Sequence, residues 1–100
     1  MILPIKFLEA AEIESSDGID WYEERKAGLG KEFREAVEAA ISTIQKHPFA
    51  FPIVHASHLR KARVKKFPYT IFFTIQPNQI LVYSVFHTSR NPIVWRGRVG

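Results

Sequence analysis

The chain has 100 residues, 46% of them apolar, a formal net charge of +4 and no cysteine. This size and composition predict a single globular domain, residues 1–100, with a modest hydrophobic core. They exclude a disulfide scaffold and a thiolate metal site, and the chain lacks the run of about 20 apolar residues that a membrane-spanning helix needs.

The charges are distributed unevenly along the chain. All ten acidic residues lie between Glu9 and Glu38, where ten acids against five bases give the first 38 residues a net charge of −5. From Ala39 onward there are nine bases and no acid, which gives +9. Such a basic half attracts an anionic partner, either nucleic acid or an acidic protein segment. The alternative is that the bases only solvate an exposed strand.

The N-terminal segment is short, apolar and rich in β-prone residues. Residues 2–7 predict a first strand, because the proline at position 4 is tolerated at the edge or the start of a strand. No basic region precedes this segment, and acidic residues begin at Glu9, so it does not have the pattern of a secretory signal. We therefore expect the protein in the cytoplasm.

Two helices are predicted next. The first begins near residue 9 with Ala10, Ile13 and Trp21 on one face, and its poor helix formers at 15–18 predict a kink. Trp21 and Tyr22 are expected to pack this helix onto a sheet. A glycine-rich turn at 28–30 leads into the second helix. That helix has one apolar stripe, formed by Phe33, Ala36, Val37, Ala40, Ile41 and Ile44, and it ends at Pro48.

The second half of the chain predicts strands. Residues 48–57 are interpreted as an irregular loop, and residues 59–66 as an edge strand with five bases. Residues 69–76 and 80–87 are apolar on both faces, which indicates central strands. The predicted fold is α+β with the order β-α-α-β-β-β, in which a helical hairpin packs on one face of a small, mostly antiparallel four-stranded sheet. The other face, with the basic strand and the C-terminal tail, is left for a partner.

Several short motifs in this order resemble the RelE/ParE toxin superfamily of bacterial type II toxin–antitoxin modules. They cover nearly the whole chain and are closer to the ParE-like, plasmid-stabilisation branch than to the ribonuclease RelE. The motifs are Trp21-Tyr22-Glu23, Gly28-Leu29-Gly30 with Phe33, His47-Pro48, Arg63 with Phe67-Pro68-Tyr69, and His87-x-x-Arg90-x-Pro92 with Trp95 and Arg98.

This resemblance implies a small toxin that is neutralised by the C-terminal segment of an antitoxin, through which alone it meets operator DNA. ParE-like members inhibit DNA gyrase, whereas RelE-like members cut messenger RNA on the ribosome. Fold does not decide between these targets. We expect an acidic antitoxin segment to lie over the basic sheet face and beside the helical hairpin. The residues expected to bind partners are Arg60, Arg63, Lys65, Arg90, Trp95, Arg96 and Arg98.

The alternative function is a metal-independent, ribosome-dependent endoribonuclease. Cleavage of RNA needs groups that activate the 2′-hydroxyl, stabilise the phosphorane and protonate the leaving oxygen, and the candidates are Arg63, Lys65, His87 and Arg90. Resemblance to the ribonuclease branch would place an arginine where this chain has Thr70, and an aromatic hydroxyl near where it has Trp95. Both departures favour a non-enzymatic toxin.

The sequence leaves alternative roles open for His87 and Trp95. His87 is either catalytic or a structural histidine at a strand end, and Trp95 either anchors an interface or folds back onto the core. The remaining histidines lack metal-ligand spacing, so we predict no metal and no cofactor. A third hypothesis is a bare nucleic-acid-binding domain, whose affinity for DNA would depend steeply on salt.

Overall fold

The computed structural model describes residues 2–56 and 58–98. These residues form an α+β fold in which two long helices and one short one accompany a sheet. The elements are β1 (Ile5–Phe7), α1 (Glu9–Arg25), α2 (Leu29–Lys46), a 3₁₀ turn (Pro48–Ala50), β2 (Ile53–His55), β3 (Leu59–Arg63), β4 (Tyr69–Ile75), β5 (Ile80–His87) and α3 (Ile93–Arg96). Among the described residues no helix is long and apolar enough to cross a membrane.

The sheet has five strands in the order β1-β5-β4-β3-β2. The β1–β5 pair is parallel and the other three pairs are antiparallel, so the prediction of a mostly antiparallel sheet with central β4 and β5 is confirmed. The prediction of four strands is wrong. A fifth strand, β2, lies inside the segment interpreted as a loop, and it pairs with β3. Ala56, at a φ of 53°, lies in the tight connection that makes this pairing possible.

The basic strand is shorter than predicted and ends at Arg63. After it, the Val64 N–H donates to the Tyr69 carbonyl at 3.0 Å, which closes the turn into β4. Lys66 has a φ of 72° in this turn, a left-handed conformation that a continuing strand could not contain. Lys65 and Lys66 are therefore presented by a turn rather than by the strand.

The first helix is continuous, so the predicted kink is wrong. Gly18 allows it to pack closely, since a Cβ there would lie only 2.7 Å from the ring of Phe33 on α2. The buried face of α1 contains Ala11 and Gly18. Ile13 and Trp21 are 52% and 49% exposed, which corrects the predicted face and the expectation that Trp21 packs onto the sheet.

The structure confirms the helical hairpin and the predicted stripe of α2, but the connection ends at Gly28, because Leu29 and Gly30 already belong to α2. Gly28 adopts a φ of 90°, and the Glu23 carboxylate accepts hydrogen bonds of 3.1 Å from the N–H groups of Gly28 and Gly30. Phe33, Val37 and Ile44 are buried on α2. The stripe seals the main core between the hairpin and β3, β4 and β5.

The opposite face of the sheet carries a second, smaller apolar cluster. Leu59, Phe72 and Phe86 form it together with Trp95, which the short helix α3 folds back over the sheet. The expectation that this face is left entirely to a partner is therefore wrong. The C-terminal segment covers part of it.

Candidate functional site

A groove with an apolar floor and a basic rim lies between α2 and β3, with a cavity volume of about 250 Å³. Its lining residues are Ala36, Ala39, Ala40, Thr43, Phe51, Ala62, Arg63 and Lys65. The small alanine side chains of α2 keep the groove open, and the two bases stand at the end of β3 and in the turn after it. An amphipathic segment with acidic side chains has the complementary character.

Arg60 holds the loop before β2 in place. Its Nη1 atom donates to the Phe51 carbonyl at 2.6 Å, and its guanidinium lies 5.3 Å from the centre of the Phe49 ring. This bond occupies a guanidinium donor of Arg60 that would otherwise be available to a partner. Arg60 thus differs from Arg63 and Lys65, which lie on the open rim of the groove.

Glu14 of α1 places a carboxylate against the C-terminal part of the chain, whose sequence has no acid. Its carboxylate is 9% exposed and accepts from both terminal nitrogens of Arg98, at 2.9 and 3.2 Å. It also accepts from the Ser84 hydroxyl at 2.8 Å and from the Val85 N–H at 3.1 Å. The nine bases after residue 38 are therefore not unopposed, because the fold pairs Arg98 with an acid from α1.

Trp95 lies in the second cluster and is only 5% exposed. Its indole stacks on the Phe72 ring at a centroid distance of 4.1 Å and meets the His55 ring edge-on at 5.5 Å. Of the two alternatives that the sequence left open, the structure therefore shows the folded-back one, and Trp95 presents almost no exposed surface to a partner. Arg96 stays exposed next to it.

A cleft of about 370 Å³ opens between α1 and the end of β5. Two of its lining residues, Trp21 and Glu14, were not among the residues that the sequence predicted for a site. The cleft is lined by Glu14, Asp17, Gly18, Trp21, Tyr69, Val85, His87, Ser89 and Arg90. It brings together the motif residues that follow β5 and the exposed aromatic residue of α1.

His87 is held by local contacts at the mouth of this cleft. Its Nδ1 atom lies 3.1 Å from the Ser89 N–H and 2.7 Å from the Ser89 hydroxyl, and its ring packs edge-on against Tyr69 at 5.1 Å. These bonds fix the ring at the strand end, as the structural interpretation predicts. Burial chiefly, and next the nearby Tyr22, raise the pKa of Tyr69, so its phenol stays protonated at neutral pH.

The four candidate nuclease residues do not share one cavity. Arg63 and Lys65 line the groove beside α2, whereas His87 and Arg90 line the cleft beside α1. Thr70 is 7% exposed and pairs across the sheet with Arg63. No group of three or more potential metal ligands occurs within residues 2–56 and 58–98.

The sequence contained an overlooked signal for Glu14. Ala11, Glu14 and Gly18 are spaced at i, i+3 and i+7, which places them on one helix face. The residues on either side of Glu14 in that stripe are small enough to let this face pack closely, and a carboxylate between them would then be buried and need a partner. Its partner, 84 residues away, could not be identified from this spacing.

A sequence model of the ParE toxin of the type II toxin–antitoxin system, parDE, matches residues 5–92. The chain belongs to the ParE toxin family. The family match extends from β1 to the residue before α3 and includes all residues that line the groove and the cleft. The resemblance to the ParE-like branch is thereby confirmed.

One solved structure similar to this member of the ParE family is described as a chromosomal ParDE TA system from P. aeruginosa. The two chains superpose with a TM-score of 0.74 at 11% sequence identity, covering 88% of this chain and 98% of the other. At that identity the similarity concerns the fold alone. A search of curated proteins finds no significant match.

Proposed function

We propose that this chain is a growth-inhibiting toxin that acts by binding an essential bacterial protein in the cytoplasm, with DNA gyrase as the first candidate. The observation that carries the proposal is the match to the ParE toxin family over residues 5–92. The separation of the basic residues supports it, because Arg63 and Lys65 lie in a different cavity from His87 and Arg90. A single phosphate-transfer site needs such groups around one reacting atom.

We further propose that the antitoxin binds in the groove between α2 and β3. Arg63 and Lys65 form a cationic rim there, and the alanines of α2 supply a shallow apolar floor. An amphipathic acidic segment would bury its apolar side chains on the floor and pair its carboxylates with the rim. Operator DNA would then be reached only through the antitoxin.

A coexpression experiment tests this function. Induction of the chain alone is expected to arrest bacterial growth, and coexpression of the antitoxin from the adjacent reading frame is expected to restore it. The double variant Arg63→Glu and Lys65→Glu should still arrest growth but escape the antitoxin, since its rim repels acidic side chains. Normal growth at good soluble expression of the wild-type chain would contradict the proposal.

A matched control separates the groove from general charge effects. Lys31 is exposed on α2 and is not among the residues that line the groove. Arg34 is likewise exposed on α2 and does not line the groove, so the double variant Lys31→Glu and Arg34→Glu reverses the same number of charges and should remain fully neutralised by the antitoxin. If it escapes as well, overall charge rather than the groove determines recognition.

The ribosome-dependent endoribonuclease is the second candidate. It is favoured by the cleft beside α1, where His87, Arg90 and the Tyr69 phenol lie together. It ranks second because the other two candidate catalytic residues, Arg63 and Lys65, line a different cavity. Cleavage of messenger RNA at codons in the ribosomal A site would establish it.

A further inference from the structure

The strand β5 loses its outer neighbour halfway along its length. β1 pairs with it only through Ile5–Phe7, opposite residues 80–82. The last bond of this parallel pair is donated by the Leu8 N–H to the Val82 carbonyl at 2.9 Å, and α1 begins at the next residue. From residue 83 to His87, β5 therefore has a free edge beside α1.

Two side chains replace the missing strand at the first free position. Arg98 donates to the Tyr83 carbonyl at 3.0 Å, and the Val85 N–H donates to the Glu14 carboxylate at 3.1 Å. In a parallel sheet, one residue opposite Ser84 would supply the same donor and the same acceptor. The Glu14–Arg98 pair thus occupies one position of the ladder.

The next position of the ladder has no strand opposite it. The pairing of β5 with β4 shifts by one residue near Tyr83, after which the N–H and carbonyl groups of Val85 and His87 point away from β4. The Thr88 N–H, one residue later, donates to the Pro68 carbonyl on the β4 side, as this alternation requires. Outside the ladder with β4, the Val85 carbonyl and the His87 N–H make no hydrogen bond within the described residues. Val85 is only 1% exposed, whereas His87 is partly exposed at the strand end.

Side chains that are common at protein–protein interfaces line the cleft beside these two groups. Trp21 is half-exposed, and the Arg90 side chain is 53% exposed with its closest carboxylate contact at 3.9 Å. Tryptophan, tyrosine and arginine are the residues that most often dominate protein–protein binding energy. An unpaired N–H at the end of a strand edge fits a carbonyl oxygen of an extended chain.

The charge of the cleft distinguishes its occupant from that of the groove. Glu14 and Asp17 balance Arg90 and Arg98 around the cleft, whereas the groove beside α2 has two bases and no lining acid. An acidic antitoxin segment therefore fits the groove, and the charge-balanced cleft fits an extended segment without strong net charge. This difference assigns the two concave sites to two different partners.

We propose that the cleft is the surface through which the toxin binds its protein target, an inference that rests on the proposed function. An extended loop of the target runs parallel to β5 and continues the line of β1. Its residue opposite Phe86 accepts a hydrogen bond from the His87 N–H. An apolar side chain of the loop covers the Trp21 indole.

Variants that separate toxicity from neutralisation test this assignment. Trp21→Ala and Arg90→Gln should each raise the amount of toxin needed to halve the growth rate by about tenfold or more, as loss of a central interface side chain does. Both should still bind the antitoxin with the affinity of the wild type. The matched control is Ile13→Ala, which removes another half-exposed apolar side chain of α1 outside the cleft and should stay fully toxic.

The outcomes distinguish this inference from the proposed function. If wild-type toxin arrests growth and both variants do so at the same level, the cleft is not the target site and the proposed function stands. If the wild type does not arrest growth at soluble expression, both are overturned. Soluble yield and thermal unfolding of each variant show whether a loss of toxicity reflects a loss of fold.

Amide exchange measured by NMR tests whether the antitoxin occupies the cleft. The His87 N–H should exchange rapidly in the free toxin and equally rapidly in the toxin–antitoxin complex, because the antitoxin leaves the cleft open. The Val85 N–H, bonded to Glu14, should be slower in both samples and serves as the internal reference. Protection of His87 in the complex would show that the antitoxin fills the cleft and would overturn the assignment to the target.

Discussion

Replacing Glu14 with glutamine keeps the shape of the side chain and removes the charge that pairs with Arg98. The carboxylate is 9% exposed and the Arg98 side chain is 20% exposed, with bonds of 2.9 and 3.2 Å between them. Removing one partner of a buried ion pair costs about 3–5 kcal/mol, and residual solvent at Arg98 lowers this. We expect the free energy of unfolding to fall by about 2–4 kcal/mol.

Urea unfolding followed by circular dichroism measures this loss. Glu12→Gln is the matched control, because Glu12 is exposed on the same helix and should change stability by less than about 0.5 kcal/mol. A double-mutant cycle with Arg98→Met should give a coupling energy above about 1 kcal/mol. A Glu14→Gln variant as stable as Glu12→Gln would refute the view that this pair fastens the C-terminal segment to the sheet.

Three further changes test other parts of the fold. Gly30→Ala should cost about 1–3 kcal/mol, because the new Cβ would lie 2.6 Å from the Ile19 carbonyl oxygen; thermal unfolding would show it. Arg60→Ala should lose about 1 kcal/mol by urea unfolding through its bond to the loop carbonyl, whereas Arg63→Ala should lose less than about 0.5 kcal/mol. The pKa of Tyr69 is raised above its ordinary value of 10.0, so stability should hold below pH 10 and fall as pH rises through the raised pKa. Tyr69→Phe should flatten that fall in unfolding curves recorded from pH 8 to pH 11.

The regular elements could be predicted because their signals are local. The apolar stripe of α2 and the two-sided apolar character of β4 and β5 lie within single segments, and the glycine turn between the helices has its own residue chemistry. The parallel pairing of β1 with β5 was not predicted, because it joins Ile5 to Ile80 across most of the chain. Local periodicity contains no information about such pairings.

The errors on α1 and β2 have a common physical origin. Small residues, Ala11 and Gly18, define the buried face of α1 because they permit close approach, while the larger Ile13 and Trp21 stay half-exposed. A pattern that gives most weight to large apolar residues predicts the wrong buried face in such a helix. β2 is only three residues long and follows a proline, so its pairing with β3 leaves no alternating pattern to detect.

The candidate site was predicted as a list of bases but not as an arrangement. The sequence indicated Arg63, Lys65 and Arg90 as exposed cations, and all three line cavities. It did not indicate that Arg98 is paired with an acid, or that Trp95 is buried, because both depend on tertiary contacts of the C-terminal segment. Charge composition gives the number of charged side chains, whereas the tertiary contacts of the fold decide which of them stay unpaired.

The most direct test of the central claim compares the two toxin mechanisms in one purified system. Wild-type toxin would be added to a plasmid-supercoiling reaction with DNA gyrase and, in parallel, to an in vitro translation reaction analysed by primer extension. A protein-binding toxin of the ParE family is expected to stall supercoiling and to leave messenger RNA intact. Cleavage at codons in the ribosomal A site with unimpaired supercoiling would contradict this account.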